Sequence, residues 1–171
     1  MSVRMQNRQR SLSIDTRTLE RRLQQAMVSL GCADQELSVV LAGDRFLRTL
    51  NRTYRHQDRA TNVLAFPQRL VTDGEPITPL LGDVIVSLPT AAREARAGQQ
   101  SLEDRVLYLL LHGLLHLLGY DHERSAMDRR RMEALEHRLL AYLASSPLVA
   151  ARRPGEDGER ERTLDTGGEK T

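Results

Sequence analysis

The sequence predicts an α+β fold in which a small mixed β-sheet packs against several helices. Three observations carry this reading. The runs ELSVVLA (36–42), TNVLAFP (61–67) and LGDVIVS (81–87) have the length and apolar, β-branched character of strands. Helix-period segments alternate with them early in the chain and then take over. One late helix, at 102–118, is so apolar that it belongs at the centre of the fold.

In chain order, residues 1–10 are polar and basic and are expected to fray, and SLSI (11–14) is a candidate short strand. Thr16 or Thr18 can cap a helix running to Gly31, with Leu19, Leu23, Ala26, Met27 and Leu30 at helical spacing. After the strand at 36–42, Asp44 opens a second helix, DRFLRTLNRTYR, with Phe46, Leu47, Leu50 and Tyr54 on one face. The strand TNVLAFP stops at Pro67, which has no N–H for a ladder. Residues 68–80, with Gly74, Pro76 and Pro79, read as a surface loop. Pro89 suits the first turn of a helix through Ala97. Ser101 begins SLED, a capping-box-like start with Asp in place of the usual Glu, for the helix 102–118. A last helix covers roughly 124–145, and from Arg152 onward the chain is Gly-rich, nearly free of apolar residues and expected to be disordered. The expected organisation is one domain over 11–150 with flexible tails at 1–10 and 151–171.

A chain of 171 residues, 40% hydrophobic and 28% charged, has room for a core and the composition of a soluble globular protein. It has four Tyr, two Phe and no Trp, too few aromatics for a broad base-stacking platform. Net charge is only +2, and all but one of its 25 basic residues are Arg, the better fork for phosphate and carboxylate. Cys32 is alone, so no internal disulfide forms and a metal site must draw on His, Asp or Glu. The N-terminus lacks the apolar core of a signal peptide, and VLYLLLHGLLHLLG is too short to span a bilayer. A cytoplasmic protein with no membrane contact is expected.

The chemistry concentrates in HGLLHLLGYDH (112–122), which holds three of the five histidines. His112 and His116 are four apart on one helix, which places their Cβ atoms about 6 Å from each other on one face. Gly119 allows the helix to stop, and His122 can return to the same point. Three neutral imidazoles around one ion leave a fourth position for water, as in catalytic zinc sites. Zn²⁺ suits imidazole best, although Ni²⁺ and Cu²⁺ also bind it. An unpaired buried imidazole would cost about 1–3 kcal/mol, so two on an apolar helix need a purpose. Asp121 is either an acceptor that orients a ligand ring or a turn-stabilising residue. A helical zinc protease carries Glu directly after its first His, and here that position is Gly113.

A second constellation lies upstream. LNRTYRHQDRATNVLAFP (50–67) packs Arg52, Arg55, His56 and Arg59 ahead of a strand. These are either a solvated helix end complementing the helix dipole or a phosphate clamp over the metal. Thr61 and Asn62 either cap a turn or contact a ligand.

NRTYRHQDRATNVLAFP, LGDVIVS and HGLLHLLGYDH, in this order, closely resemble the YbeY family of bacterial ribosomal-RNA maturation endoribonucleases over roughly residues 36–145. The resemblance implies a compact α+β fold around a central buried metal-binding helix. It implies one Zn²⁺ held by His112, His116 and His122, with Arg55 and His116 as the catalytic candidates. It further implies cleavage of single-stranded RNA, in 16S rRNA 3′-end maturation and ribosome quality control. The partners would be the small ribosomal subunit and a ribosomal protein or assembly GTPase. Two departures are visible: Ala65 stands where the family usually has Ser, and the last helix is unusually basic at Arg129–Arg131. Two other readings stay open, a metal-dependent hydrolase of peptides or small esters and a non-catalytic ribosome assembly factor with a structural zinc.

Overall fold

A computed structural model describes residues 3–68, 71–72, 75–76 and 79–147. The elements are β1 (Val3–Asn7), α1 (Thr16–Ser29), β2 (Glu36–Ala42), α2 (Asp44–Arg55), β3 (Val63–Pro67), β4 (Val71–Thr72), β5 (Glu75–Pro76), β6 (Leu80–Ser87), α3 (Leu88–Ala97), α4 (Leu102–Leu117) and α5 (Ala126–Ser145). Four strands form one sheet in the order β1-β2-β6-β3, and β4 pairs with β5. β1, β2 and β6 run parallel, while β3 is antiparallel to β6, so the sheet is mixed as the sequence predicts.

Strand periodicity divides the side chains between the two faces of the sheet. Leu37, Val39 and Leu41 of β2 and Val84 and Val86 of β6 join the main core with residues of α1, α3, α4 and α5. The alternate residues Ala42 and Ile85 join a smaller cluster with Leu47 of α2 and Leu64 of β3. The second half of the central strand β6, Val84–Ser87, is buried on both faces, which explains its run of three consecutive β-branched apolar residues.

The segment expected to fray supplies the edge strand β1, paired parallel to β2 from Val3↔Leu37 to Asn7↔Leu41. Val3 is buried in the main core and Met5 packs against it. The alternate residues Arg4 and Gln6 are polar and exposed, and that alternation made the strand read as a tail. SLSI is not a strand; Leu12 and Ile14 pack on the core from an irregular connection. The α1 cap is Asp15 instead of a threonine, with its carboxylate accepting from the Thr18 amide at 3.1 Å and the Thr18 hydroxyl at 2.7 Å. The expected loop at 68–80 contains the short β4–β5 pair. On α2 the expected apolar face is only partly used: Leu47 is fully buried, whereas Tyr54 stays exposed, edge-on to Phe66 at 5.3 Å between ring centroids. The expected tail at 151–171 lies outside the described residues. Among the described residues no helix is long and apolar enough to cross a membrane.

α4 is almost wholly buried, with Val106, Leu109, Leu110, Leu111, Leu114, Leu115 and Leu117 all in the core. It lies directly on β6. A Cβ placed on Gly113 would stand 2.6 Å from Val84 Cγ1 and 3.0 Å from Cγ2. Gly113 is therefore the contact that lets the helix approach the sheet. The absence of a protease Glu at this position has a packing cause.

At the other end of the sheet, Asp44 opens α2 and ties it to α3. Its carboxylate accepts from the Ser87 and Thr90 hydroxyls and from Arg93 at 2.8 Å. Burial works against its ionisation, but the three hydrogen bonds outweigh it and hold the carboxyl below its ordinary value of 3.8.

Two outcomes follow. Gly113→Ala should destabilise the fold by about 1–3 kcal/mol through overpacking against Val84, measurable by urea unfolding. A carboxyl with a depressed folded-state pKa stabilises above its unfolded value and loses that contribution as pH falls through the folded value. Asp44→Asn should therefore be less stable than the parent near neutral pH, with the difference shrinking below about pH 3.8. A gap that is constant from pH 6 to pH 3 would contradict this origin.

Candidate metal centre

His112 and His116 project from the last two turns of α4. The helix ends in paired C-terminal hydrogen bonds, Tyr120 N–H to the Leu115 carbonyl at 3.1 Å and Gly119 N–H to the His116 carbonyl at 3.0 Å. Gly119 takes φ +98°, a conformation that glycine adopts without the strain a Cβ would bring. The Asp121 carboxylate then accepts the Glu123 amide at 2.9 Å and pairs with Arg124 at 3.3 Å. That amide hydrogen bond, chiefly, holds its carboxyl below the usual range. Of the two readings of Asp121, the structure selects the turn-stabilising one.

The result is convergence. The ring centroids of His112, His116 and His122 lie 4.7, 5.1 and 5.0 Å apart. One nitrogen from each ring lies within 4.8 Å of the other two. His112 Nε2 and His116 Nε2 are 3.1 Å apart, whereas two nitrogens on a tetrahedral zinc stand about 3.3 Å apart. Among the described residues, the buried His122 Nδ1 has no hydrogen-bond partner. An all-imidazole donor set of this kind fits a single borderline cation. All three residues keep partial exposure, so the cluster is reached from solvent.

The electrostatics agree. Burial, followed by repulsion from His112 and His122, lowers the pKa of His116 below 6.5. Its ring is neutral near pH 7, the form that ligates. The positive charge of Arg55 acts in the same direction.

Arg55 is the last residue of α2, and His56 follows in the left-handed region at φ 55° as the helix cap. Among the described residues Arg55 has no hydrogen bond or ion pair, so its fork is uncommitted. Its neighbours are more engaged. Arg48 holds Asp58 through two bonds at 2.8 and 3.2 Å, and Arg59 donates to Gln57 at 3.1 Å. Asn51, buried, donates to the Arg59 carbonyl at 3.0 Å. Asn62 is structural: it donates to Glu94 at 3.0 Å, and Glu94 also pairs with Arg105 of α4 at 2.8 Å. Ala65 packs against the main core.

Glu136, on α5, was not among the residues singled out from the sequence. It is 4% exposed. Its Oε1 lies 2.6 Å from His112 Nδ1, and its Oε2 accepts the Tyr108 hydroxyl at 3.3 Å. Burial, then the Glu136 charge, raises the Tyr108 pKa, so the phenol keeps its proton and donates. The available signal was a carboxylate among the buried positions Met132, Glu136, Leu139 and Leu143 of an amphipathic stripe.

The fold and the site together define a class, a small α+β protein whose buried central helix carries an all-imidazole site suited to one metal ion. Comparison with known proteins makes the assignment specific, since the family model described as Endoribonuclease YbeY matches residues 4–144. The chain belongs to the YbeY endoribonuclease family. It is 47% identical over 150 residues to Endoribonuclease YbeY of Geobacter metallireducens, covering 87% of this chain and 100% of that one. It is 41% identical over 128 residues to the same-named protein of Aquifex aeolicus, covering 75% and 83%. A Thermotoga maritima protein solved in solution shares the fold, with a TM-score of 0.53 at 24% identity over 92% of this chain and 99% of that one.

Zinc titration should saturate at about one equivalent and raise the melting temperature, by mass action on the folded state. His116→Ala and His122→Ala should each remove that rise. Equal stabilisation of both variants would place the metal elsewhere.

Proposed function

We propose that this protein is a zinc-dependent endoribonuclease that cuts single-stranded RNA, with His112, His116 and His122 holding the ion and Arg55 on the scissile phosphate. The observation that carries the reading is the convergence of three imidazoles in a chain of the YbeY family, with the charge of the unpaired Arg55 acting on His116. When bound, the ion supplies Lewis acidity toward a phosphodiester oxygen or water. The chain's own groups do the rest. The planar Arg55 guanidinium can grip two phosphate oxygens and offset charge that develops during displacement. Its anchorage at a capped helix end gives it a defined origin.

Proton transfer is less provided for. The residue after His112 is a glycine pressed on Val84, so the carboxylate base of helical zinc peptidases has no place. Glu136 is buried and occupied by His112 and Tyr108, out of reach of a substrate. This favours phosphodiester chemistry, in which the RNA can supply its own 2′-hydroxyl, over peptide hydrolysis. The cellular setting proposed is the cytoplasm, with 16S rRNA 3′-end maturation and ribosome quality control as the process. The small ribosomal subunit, a ribosomal protein and an assembly GTPase are the proposed partners.

Arg55→Ala should lower single-stranded RNA cleavage by about 10²–10³-fold, and His116→Ala should abolish it. Unchanged cleavage by both would overturn the assignment. A cyclic phosphate end on the product would identify the 2′-hydroxyl as nucleophile, and a simple phosphate end would identify water. Full rescue of ribosome maturation by an Arg55→Ala protein that binds ribosomes but cannot cut would establish an assembly factor instead.

A further inference from the structure

We propose that Glu136 is a positioning residue for the metal centre, fixing the tautomer and aim of His112 from a different helix, with Tyr108 holding its second oxygen. This rests on the reading that the three histidines bind a metal ion. The geometry is specific. An ionised carboxylate only accepts, so the 2.6 Å contact requires the hydrogen of His112 to sit on Nδ1. The lone pair is then left on Nε2, the atom that faces His116 at 3.1 Å. Without that acceptor, the ring is free to carry its proton on Nε2 and to turn about its side-chain bonds. The carboxylate also makes the ring more electron-rich, which strengthens its hold on a cation.

Burial argues that the contact is built for this purpose. Glu136 occupies a core position between Met132 and Leu139, where a charge is costly unless both oxygens are satisfied. They are: one by His112, the other by the Tyr108 hydroxyl one turn earlier on α4. Tyr108 is itself held from outside by Arg105, whose guanidinium lies 4.9 Å from the ring centroid. An apolar side chain at this position would satisfy α5 packing alone. The carboxylate adds a partner for the metal ligand, and it joins α5 to a centre whose other residues all precede that helix.

The test uses the full chain, stripped of metal and titrated with zinc against a chromophoric chelator. Glu136→Gln keeps the shape and an acceptor oxygen but removes the charge. It should weaken zinc binding by about 10–100-fold, with Glu136→Ala weaker still, while the metal-free Glu136→Gln protein melts near the parent. Tyr108→Phe should have the smaller effect, under about tenfold, because the His112 contact survives. Nitrogen-15 NMR of labelled histidine should show His112 protonated at Nδ1 in the metal-free parent, a readout that needs no variant to fold. Parent-like zinc affinity in folded Glu136→Gln and Glu136→Ala, or a His112 without a proton on Nδ1, overturns the proposal while the metal site stands. If the parent itself binds no zinc, the three-histidine reading fails first, and this inference fails with it.

Discussion

The seating of α4 on β6 is the constraint from which the rest of the molecule follows. At Gly113 the helix approaches Val84 so closely that an added Cβ would stand 2.6 Å from one of its methyl carbons, so a side chain there would force a shift. Close-packed interiors transmit such a distance, because neighbouring side chains have no slack to absorb a change. The leucines of α4 are buried on every side by the sheet, α1, α3 and α5. The histidines emerge from this helix at its C-terminal end, where the leucine stripe gives way to a glycine turn. Their spacing is therefore inherited from a rigid element and not from a loop, which favours a stable geometry for binding and chemistry.

Polar groups in this interior occur in linked sets. Glu136 joins α5 to α4 through Tyr108 and His112. Glu94 joins α3 to α4 through Arg105 and to the start of β3 through Asn62. Asp44 joins α2 to α3 through Ser87, Thr90 and Arg93. Each carboxylate is bonded to at least two side chains, and each bond set joins separate elements, which offsets the cost of removing the charge from water. Together they form a route of fixed contacts from α2, whose last residue is Arg55, across α3 to the helix that carries His112 and His116.

Much of this was legible in the residues. The strands at 36–42 and 81–87 coincide with or fall within β2 and β6, because central strands that bury at least one full face keep an apolar, β-branched character. The apolar helix and its His spacing predicted a shared face, and the three rings do converge. The edge strand β1 was not legible: half of its side chains face water, and only the pairing with β2 reveals it. Glu136 was missed for a different reason. Twenty-four residues separate it from His112, and a glutamate in a charged helix shows nothing of its partner until the helices are packed.

Local order and chemistry were thus written into the chain itself. The His-to-His spacing, the glycine that ends the helix and the apolar periodicity depend on neighbours within a few residues, and backbone geometry alone converts them into structure. Tertiary packing decided what depends on distant pairs: which charge acts on His116, which carboxylate holds His112, and why a side chain at position 113 would press on Val84. The physical reason is that a hydrogen bond or a steric contact is short-ranged. Its partners are fixed only when separate helices and strands are brought within a few ångströms of each other, and sequence separation carries no record of that approach.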